Sequence, residues 1–186
     1  MGNPGQRANR RWPVDSGALF GLSVLMGFAA FGILTKIYLF PALRAMRRDH
    51  ALTALLIPNI FRFIGLCFLV PGVVAASLPR AFAAPAAYGD LIAAILAVMA
   101  TLSLYGGRSW AIPLVWVFNV WGTLDLLFAF YQGEIGVRIE PGSLGAAYFI
   151  PTVLVPALLI LHGLTFWLLL RKSQQAQSPS ADSWLS

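Results

Sequence analysis

The sequence contains few cysteines, few histidines and few charged residues. Cys67 is the single cysteine among 186 residues, which excludes an intrachain disulfide and any metal site built from several cysteines. Charged side chains make up 11% of the chain, whereas soluble domains contain about 25%. So few charges cannot cover a surface exposed to water, and a soluble globular fold is therefore excluded.

The chain is instead rich in long apolar runs. Hydrophobic residues make up 59% of it, and its mean hydropathy is +0.76. A run of about 20 apolar residues can cross a bilayer as an α-helix. We predict an all-α fold, a polytopic transmembrane helical bundle with five spanning helices in one domain over residues 17–172. The predicted spans are 17–43, 51–76, 90–106, 109–132 and 146–170.

The segments outside these spans are polar or rich in proline and glycine. Residues 1–16 are predicted as a polar N-terminal tail, and residues 173–186 as a disordered C-terminal tail. The segment 77–90 contains Pro79, Pro85 and Gly89, which predicts a loop. In this interpretation Phe82 and Tyr88 anchor the loop in the membrane interface.

Basic residues flank the apolar runs and do not form a basic folded face, which excludes nucleic acid as the main partner. The arginines and lysines of the loops are nearly balanced between the two sides, and Lys36 shifts the count toward one of them. The count predicts a multi-pass protein of the cytoplasmic (inner) membrane, with the amino terminus outside and the carboxyl terminus in the cytoplasm. Gly17 and Gly21 are spaced for close packing of the first helix against a partner helix.

Several polar residues fall inside the predicted spans, where an ionisable side chain is costly and needs a partner. At 1.5 Å per helical residue, three of them lie about 13–16 Å from the same membrane surface, and Asp125 lies about 8 Å further across. We expect helices two, four and five to enclose a polar pocket, which Asp125 joins only through helix tilt or water. Its predicted ligand-binding residues are Arg62, Asp125, Asn119, His162, Asn59 and Thr123.

Three functions are compatible with such a pocket. It could bind or transport a small anionic ligand, a lipid head group or a proton, because a guanidinium donates several hydrogen bonds and His162 titrates near neutrality. The same residues could instead act only as interhelical contacts in a structural or accessory subunit. A third alternative is a membrane enzyme that acts on a lipid, with His162 or Asp125 as general acid or base.

The sequence contains no residue pattern typical of a haem, metal or nucleotide site. His50 is expected at the membrane edge and His162 about 13 Å inside, so the two cannot hold a haem between them. The carboxylates are scattered without metal-ligand spacing, and no nucleotide-binding or zinc-protease motif occurs. We therefore expect no cofactor and no metal.

The stretches NIFRFIGLCFLVPGV (59–73) and PAAYGDLIAAILAVMATL (85–102) resemble the DoxX-like small bacterial membrane proteins. Those proteins place an arginine and a glycine early in one helix and an acidic residue at or in the next helix. The chain departs from them in its additional first span and in the position of Asp90, which is predicted at the edge of its helix. The resemblance covers about a quarter of the chain. It implies a bacterial cytoplasmic-membrane protein with a role near redox or sulfur metabolism.

Overall fold

The computed structural model describes residues 15–171. Five of its helices are long and apolar enough to cross a membrane, which is consistent with a membrane protein and confirms the predicted all-α fold. Residues 1–14 and 172–186, which hold nearly all of the two predicted tails, lie outside the described part of the chain. The long helices are α1 (Ser16–Ala45), α2 (Arg48–Leu69), α3 (Arg80–Tyr105), α4 (Ala111–Gly136) and α5 (Ile150–Leu170).

Short connections join consecutive helices, so the five helices run up and down in turn. One end of the bundle holds the start of α1 and the connections 70–79 and 137–149, and we call it the N-terminal end. The opposite end holds the connections 46–47 and 106–110 and the end of α5. This alternation decides which residues of different helices share a level.

The middle of the bundle is α3, which packs against both α2 and α4. Its buried face consists mainly of alanines, and such small side chains let neighbouring helices approach closely. These alanines are Ala83, Ala86, Ala87, Ala93, Ala94, Ala97 and Ala100. By contrast, α1 lies at the periphery and packs mainly against α5, where Gly27 meets the backbone of Thr152 and the ring of Pro156.

The main difference from the predicted spans is the start of α3. The helix begins at Arg80, so most of the segment predicted as a loop is helical, and the predicted interfacial anchor Phe82 is 6% exposed. Pro79 occupies the N-cap position, where its missing N–H is not needed. Pro85 falls early in the helix, and the alanines around it are the best helix formers. The loop prediction gave the prolines too much weight.

The other spans end near the predicted limits, with local changes of helix type. Residues Arg48–Ile60 of α2 are α-helical through Pro58, and the helix then tightens to a 3-10 helix over Phe61–Leu69. It ends before Gly72, whose φ of +86° suits glycine, and not at residue 76. The last turn of α4 is a π-helix over Gln132–Gly136. A π-helical turn also begins α5 at Ile150, four residues later than predicted.

Candidate functional site

Arg62 lies at the centre of a buried polar cluster between four helices. Its side chain projects from the 3-10 part of α2, and the residue is 1% exposed. Nε donates to Oδ1 of Asp90 on α3 at 2.8 Å, and Nη2 donates to Oδ2 of Asp125 on α4 at 2.5 Å. Nη1 donates to the carbonyl oxygen of Gly122 at 3.2 Å. One guanidinium therefore holds two carboxylates from different helices.

The remaining contact of the guanidinium is with His162 on α5. Nη1 of Arg62 lies 3.3 Å from Nε2 of His162, and because arginine can only donate, Nε2 must accept. The proton of the ring is therefore on Nδ1, which donates to Oδ1 of Asn119 at 2.7 Å. Asn119 in turn donates from Nδ2 to the carbonyl oxygen of His162 at 3.2 Å. The imidazole is thus neutral and fixed in one tautomer.

The charges of this cluster do not cancel. Arg62 contributes one positive charge, Asp90 and Asp125 contribute two negative charges when ionised, and the neutral His162 contributes none. Only 10% and 11% of the two aspartate side chains are exposed. Among residues 15–171, each carboxylate accepts hydrogen bonds from Arg62 through one oxygen only. The fully ionised cluster therefore carries one uncompensated negative charge.

Three glycines make room for these side chains. A Cβ atom on Gly65 of α2 would collide with the carboxylate of Asp90, and one on Gly89 of α3 would collide with the carboxylate of Asp125. A Cβ on Gly122 of α4 would lie 2.5 Å from Cε1 of His162 and 2.8 Å from Nη1 of Arg62. Each helix from α2 to α4 thus presents a glycine to a polar side chain of the next helix. The cluster depends on these close approaches.

A narrow cleft leads from the two carboxylates toward the N-terminal end. Asp90 and Asp125 lie on its inner wall, and most of its other lining residues are apolar. The cleft has a cavity volume of about 50 Å³, which is room for a few water molecules or one slender group. Its aromatic lining consists of Phe20, Phe68, Phe82 and Phe130. The two carboxylates therefore line a cleft whose other walls are largely aromatic and apolar.

The cleft continues into a wider depression at the N-terminal end, which we call the outer vestibule. The two share Phe20, Phe130 and Glu134 among their lining residues. The charged residues around the outer vestibule are Asp15, Glu134, Arg138 and Glu140. Three carboxylates thus face one guanidinium in the described part of this surface. Among residues 15–171, the approach to the cleft therefore carries more acidic than basic side chains.

The structure brings four of the predicted site residues into this one network, namely Arg62, Asp125, Asn119 and His162. Asp125 and Arg62 are in direct contact, so the pair needs no bridging water. The expected difference in level between them was too large because of the predicted helix starts. Arg62 lies fourteen residues after Arg48, and Asp125 lies fourteen residues after Ala111, so both are about 21 Å from the opposite end.

The other two predicted residues bond to their own helices. The amide nitrogen of Asn59 donates to the carbonyl oxygen of Leu55 at 3.0 Å, and the hydroxyl of Thr123 donates to that of Asn119 at 2.7 Å. Asn59 is buried, and its Oδ1 has no hydrogen-bond partner among the described residues. Neither Asn59 nor Thr123 contacts the guanidinium of Arg62 through a hydrogen bond.

Sequence reasoning missed Asp90 as a member of the site. The residue was placed at a helix edge, whereas it lies ten residues inside α3 and is 7% exposed. A signal was present in the sequence, because small residues recur at helical spacing from Ala83 through Gly89 to Ala100. That spacing indicates a helix with one closely packed face, and Asp90 lies next to that face.

A family model described as a domain of unknown function, DUF8737, matches residues 19–170, which include every residue of the cluster. The chain belongs to the DUF8737 family. No curated protein and no solved structure matches the chain. For this DUF8737 protein the arguments for function therefore come from the buried cluster, the cleft and the outer vestibule.

Proposed function

We propose that this DUF8737 protein is a multi-pass membrane protein that binds and releases one positive charge at Asp90, Arg62 and Asp125. The charge enters from the N-terminal end through the aromatic cleft. The single observation that carries the proposal is the pairing of one buried arginine with two aspartates whose side chains are only 10% and 11% exposed. A net negative charge in hydrocarbon costs several kcal/mol. The cluster at rest therefore takes up a proton or another cation.

The same geometry argues against a small anion as the ligand. All three nitrogens of the guanidinium already face acceptors on the protein, namely Asp90, Asp125, His162 and the carbonyl of Gly122. An incoming anion would have to displace one carboxylate and then lie beside the other. Like charges so close in a poorly hydrated site repel strongly. A positive charge meets no such obstacle.

Catalysis by His162 is also disfavoured. The residue is 1% exposed, and its two ring nitrogens are occupied by Arg62 and Asn119. A general acid or base must come within hydrogen-bond reach of the reacting group. Among the groups named for such an enzyme, only Asp125 lines the cleft. His162 thus acts as a positioning residue that holds the guanidinium.

Infrared difference spectroscopy of the protein in lipid bilayers tests the proposal. We expect a pH-dependent carbonyl band from a protonated carboxylic acid that shifts in deuterated water. The band should be lost in Asp90→Asn or Asp125→Asn, which replace one carboxylate by a neutral group of the same shape. Asp49→Asn, at an exposed position near the opposite end, is the matched control and should leave the band unchanged. Absence of the band in the wild type from acid to alkaline pH contradicts the proposal.

The second candidate is a structural or accessory subunit in which the cluster only fixes helix packing. It is favoured by the exposure of α1, since only 6% of the residues in its most apolar 18-residue stretch are buried. It is also favoured by the open space around Gly21. Such a surface suits a second protein as well as lipid. Native mass spectrometry after gentle extraction separates the two readings. A partner chain in fixed ratio, together with no proton uptake by the cluster, favours the accessory role.

The proposal includes location in the cytoplasmic (inner) membrane, with the N-terminal end outside the cell. The basic residues of the two ends are nearly balanced, and the support is Lys36, whose long side chain can reach toward the opposite end with Arg44. The outer vestibule then faces the exterior. A reporter enzyme fused at Ser186 should be active only in the cytoplasm, and activity outside would reverse the orientation.

A further inference from the structure

We infer that the positive charge taken up at this site belongs to a slender organic ammonium ion, a protonated primary amine on an unbranched apolar body. The inference rests on the proposed function and adds the class of ligand. Two separate regions carry it, the aromatic cleft and the acidic outer vestibule. The two regions share lining residues, and Asp90 and Asp125 line the cleft.

The lining of the cleft suits the apolar body of such a ligand. Its walls are largely apolar, and the faces of aromatic rings attract organic cations as well as hydrocarbon. An ammonium group at the inner end would donate hydrogen bonds to the carboxylates of Asp90 and Asp125. The small cavity volume of the cleft, about 50 Å³, favours a primary ammonium over a bulky quaternary one.

A metal cation is a poorer occupant of the same place. Within residues 15–171, no group of three or more histidine, cysteine, aspartate and glutamate side chains is positioned to hold a metal ion. The two carboxylates at the inner end are already shared with Arg62. Hard cations require six or more oxygen ligands, which the aromatic walls do not supply.

The outer vestibule selects for the same sign of charge. Within residues 15–171, Asp15, Glu134 and Glu140 outnumber Arg138 there, and carboxylates at an entrance raise the local concentration of cations. Glu134 borders both the vestibule and the cleft, so it lies where an ammonium group would pass from one to the other. A ligand with a carboxylate would be repelled at the entrance and again at the inner end.

Binding should exchange one cation for another. The resting cluster holds a proton on one carboxylic acid. When the ammonium ion enters, that acid gives up its proton, the carboxylate pairs with the ammonium, and one proton leaves per ligand bound. The charge of the cluster is the same before and after. Proton release therefore reports occupation of this site and not partition of the amine into lipid.

The test is calorimetric titration of the full chain in lipid nanodiscs with hexylammonium, in two buffers of different ionisation enthalpy. Hexanol and hexanoate are the matched neutral and anionic probes, and empty nanodiscs correct for partition. We expect saturable binding of hexylammonium with release of one proton, and no saturable binding of hexanoate. Asp125→Asn should weaken binding by about tenfold to a hundredfold, because it removes a charge-assisted hydrogen bond. Asp49→Asn should bind as the wild type does.

Substitutions in the outer vestibule provide a second, separate test. Glu134→Gln with Glu140→Gln should weaken binding several-fold at low salt and much less at high salt, because exposed charges are screened. Hexanoate binding as tightly as hexylammonium, or full binding in Asp90→Asn/Asp125→Asn, overturns the inference. A protonated carboxylic acid that responds to pH but not to hexylammonium also overturns it and leaves the proposed function standing. If the protein responds neither to pH nor to hexylammonium, both the inference and the proposed function are contradicted.

Discussion

Replacement of Gly122 by alanine is the sharpest test of how the cluster is held. The added Cβ would lie 2.5 Å from Cε1 and 2.7 Å from Nε2 of His162, and 2.8 Å from Nη1 of Arg62. Carbon atoms in contact are about 3.5–4.0 Å apart, so the imidazole must move by roughly 1 Å. The bond between Nη1 and Nε2 is already 3.3 Å long and would break.

The expected cost follows from these distances. Overpacking of a full core costs about 1–3 kcal/mol, and a hydrogen bond to a charged group contributes about 1.5–3 kcal/mol. Alanine returns about 1 kcal/mol of helix propensity, which leaves a net loss of about 1.5–5 kcal/mol for Gly122→Ala. Gly163 is the matched control, since nothing lies within 4 Å of its added Cβ. Gly163→Ala should be neutral or stabilising by up to about 1 kcal/mol.

The free energy of unfolding can be measured in mixed micelles by titration with a denaturing detergent, followed by tryptophan fluorescence. The difference between the two variants decides the question, because both add one methyl group to the interior of a spanning helix. Equal free energies of unfolding for Gly122→Ala and Gly163→Ala would refute the close approach of α4 and α5 at the cluster.

Two further predictions concern the polar residues themselves. Arg62→Met should destabilise the protein by about 3–5 kcal/mol in the same unfolding assay, because it leaves Asp90 and Asp125 buried without a partner. Adding Asp90→Asn and Asp125→Asn to Arg62→Met should recover part of that loss, and strictly additive costs would contradict the shared cluster. Asn119→Ala should cost about 1–3 kcal/mol, because it leaves the Nδ1–H of His162 without an acceptor. Nitrogen NMR of the labelled imidazole should find the proton on Nδ1 in the wild type, and a proton on Nε2 would exclude the bond from Arg62.

The number and class of the helices could be predicted from hydropathy alone, because a helix that crosses a bilayer needs about 20 apolar residues in a row. The start of α3 could not be predicted from the prolines and glycines of the segment 77–90. Pro79 and Pro85 normally indicate a loop, but Pro79 precedes the first turn and Pro85 removes only one hydrogen bond, that to the carbonyl of residue 81. Alanine propensity and close packing against α2 override them.

The depth of each polar residue along the bundle could be predicted only as accurately as the limits of its helix. Asn119 and His162 were expected at the same level, and they are in contact. Arg62 and Asp125 were expected about 8 Å apart, because each predicted helix start was off by two or three residues and each residue adds about 1.5 Å. Such errors decide whether an ion pair is recognised. Asp90 was lost for the same reason.

The cleft and the outer vestibule have no counterpart in the linear pattern. Phe20 and Phe130 belong to helices that are distant in the chain, and Glu140 lies in a connection. Nothing in the spacing of these residues relates them to one another. Only the packing of α1, α4 and the connection 137–149 at the N-terminal end brings them to one passage.

The division of the cluster among four helices also bears on how the protein is made. Arg62 precedes Asp90 by 28 residues, Asp125 by 63 and His162 by 100. If α2 enters a bilayer alone, it carries an unneutralised guanidinium, which costs several kcal/mol in hydrocarbon. The first neutral unit is the hairpin of α2 and α3, so we expect these two helices to enter the membrane together. Only the later arrival of Asp125 gives the cluster its excess charge, so under the proposed function the cation site is completed only when α4 packs against the hairpin.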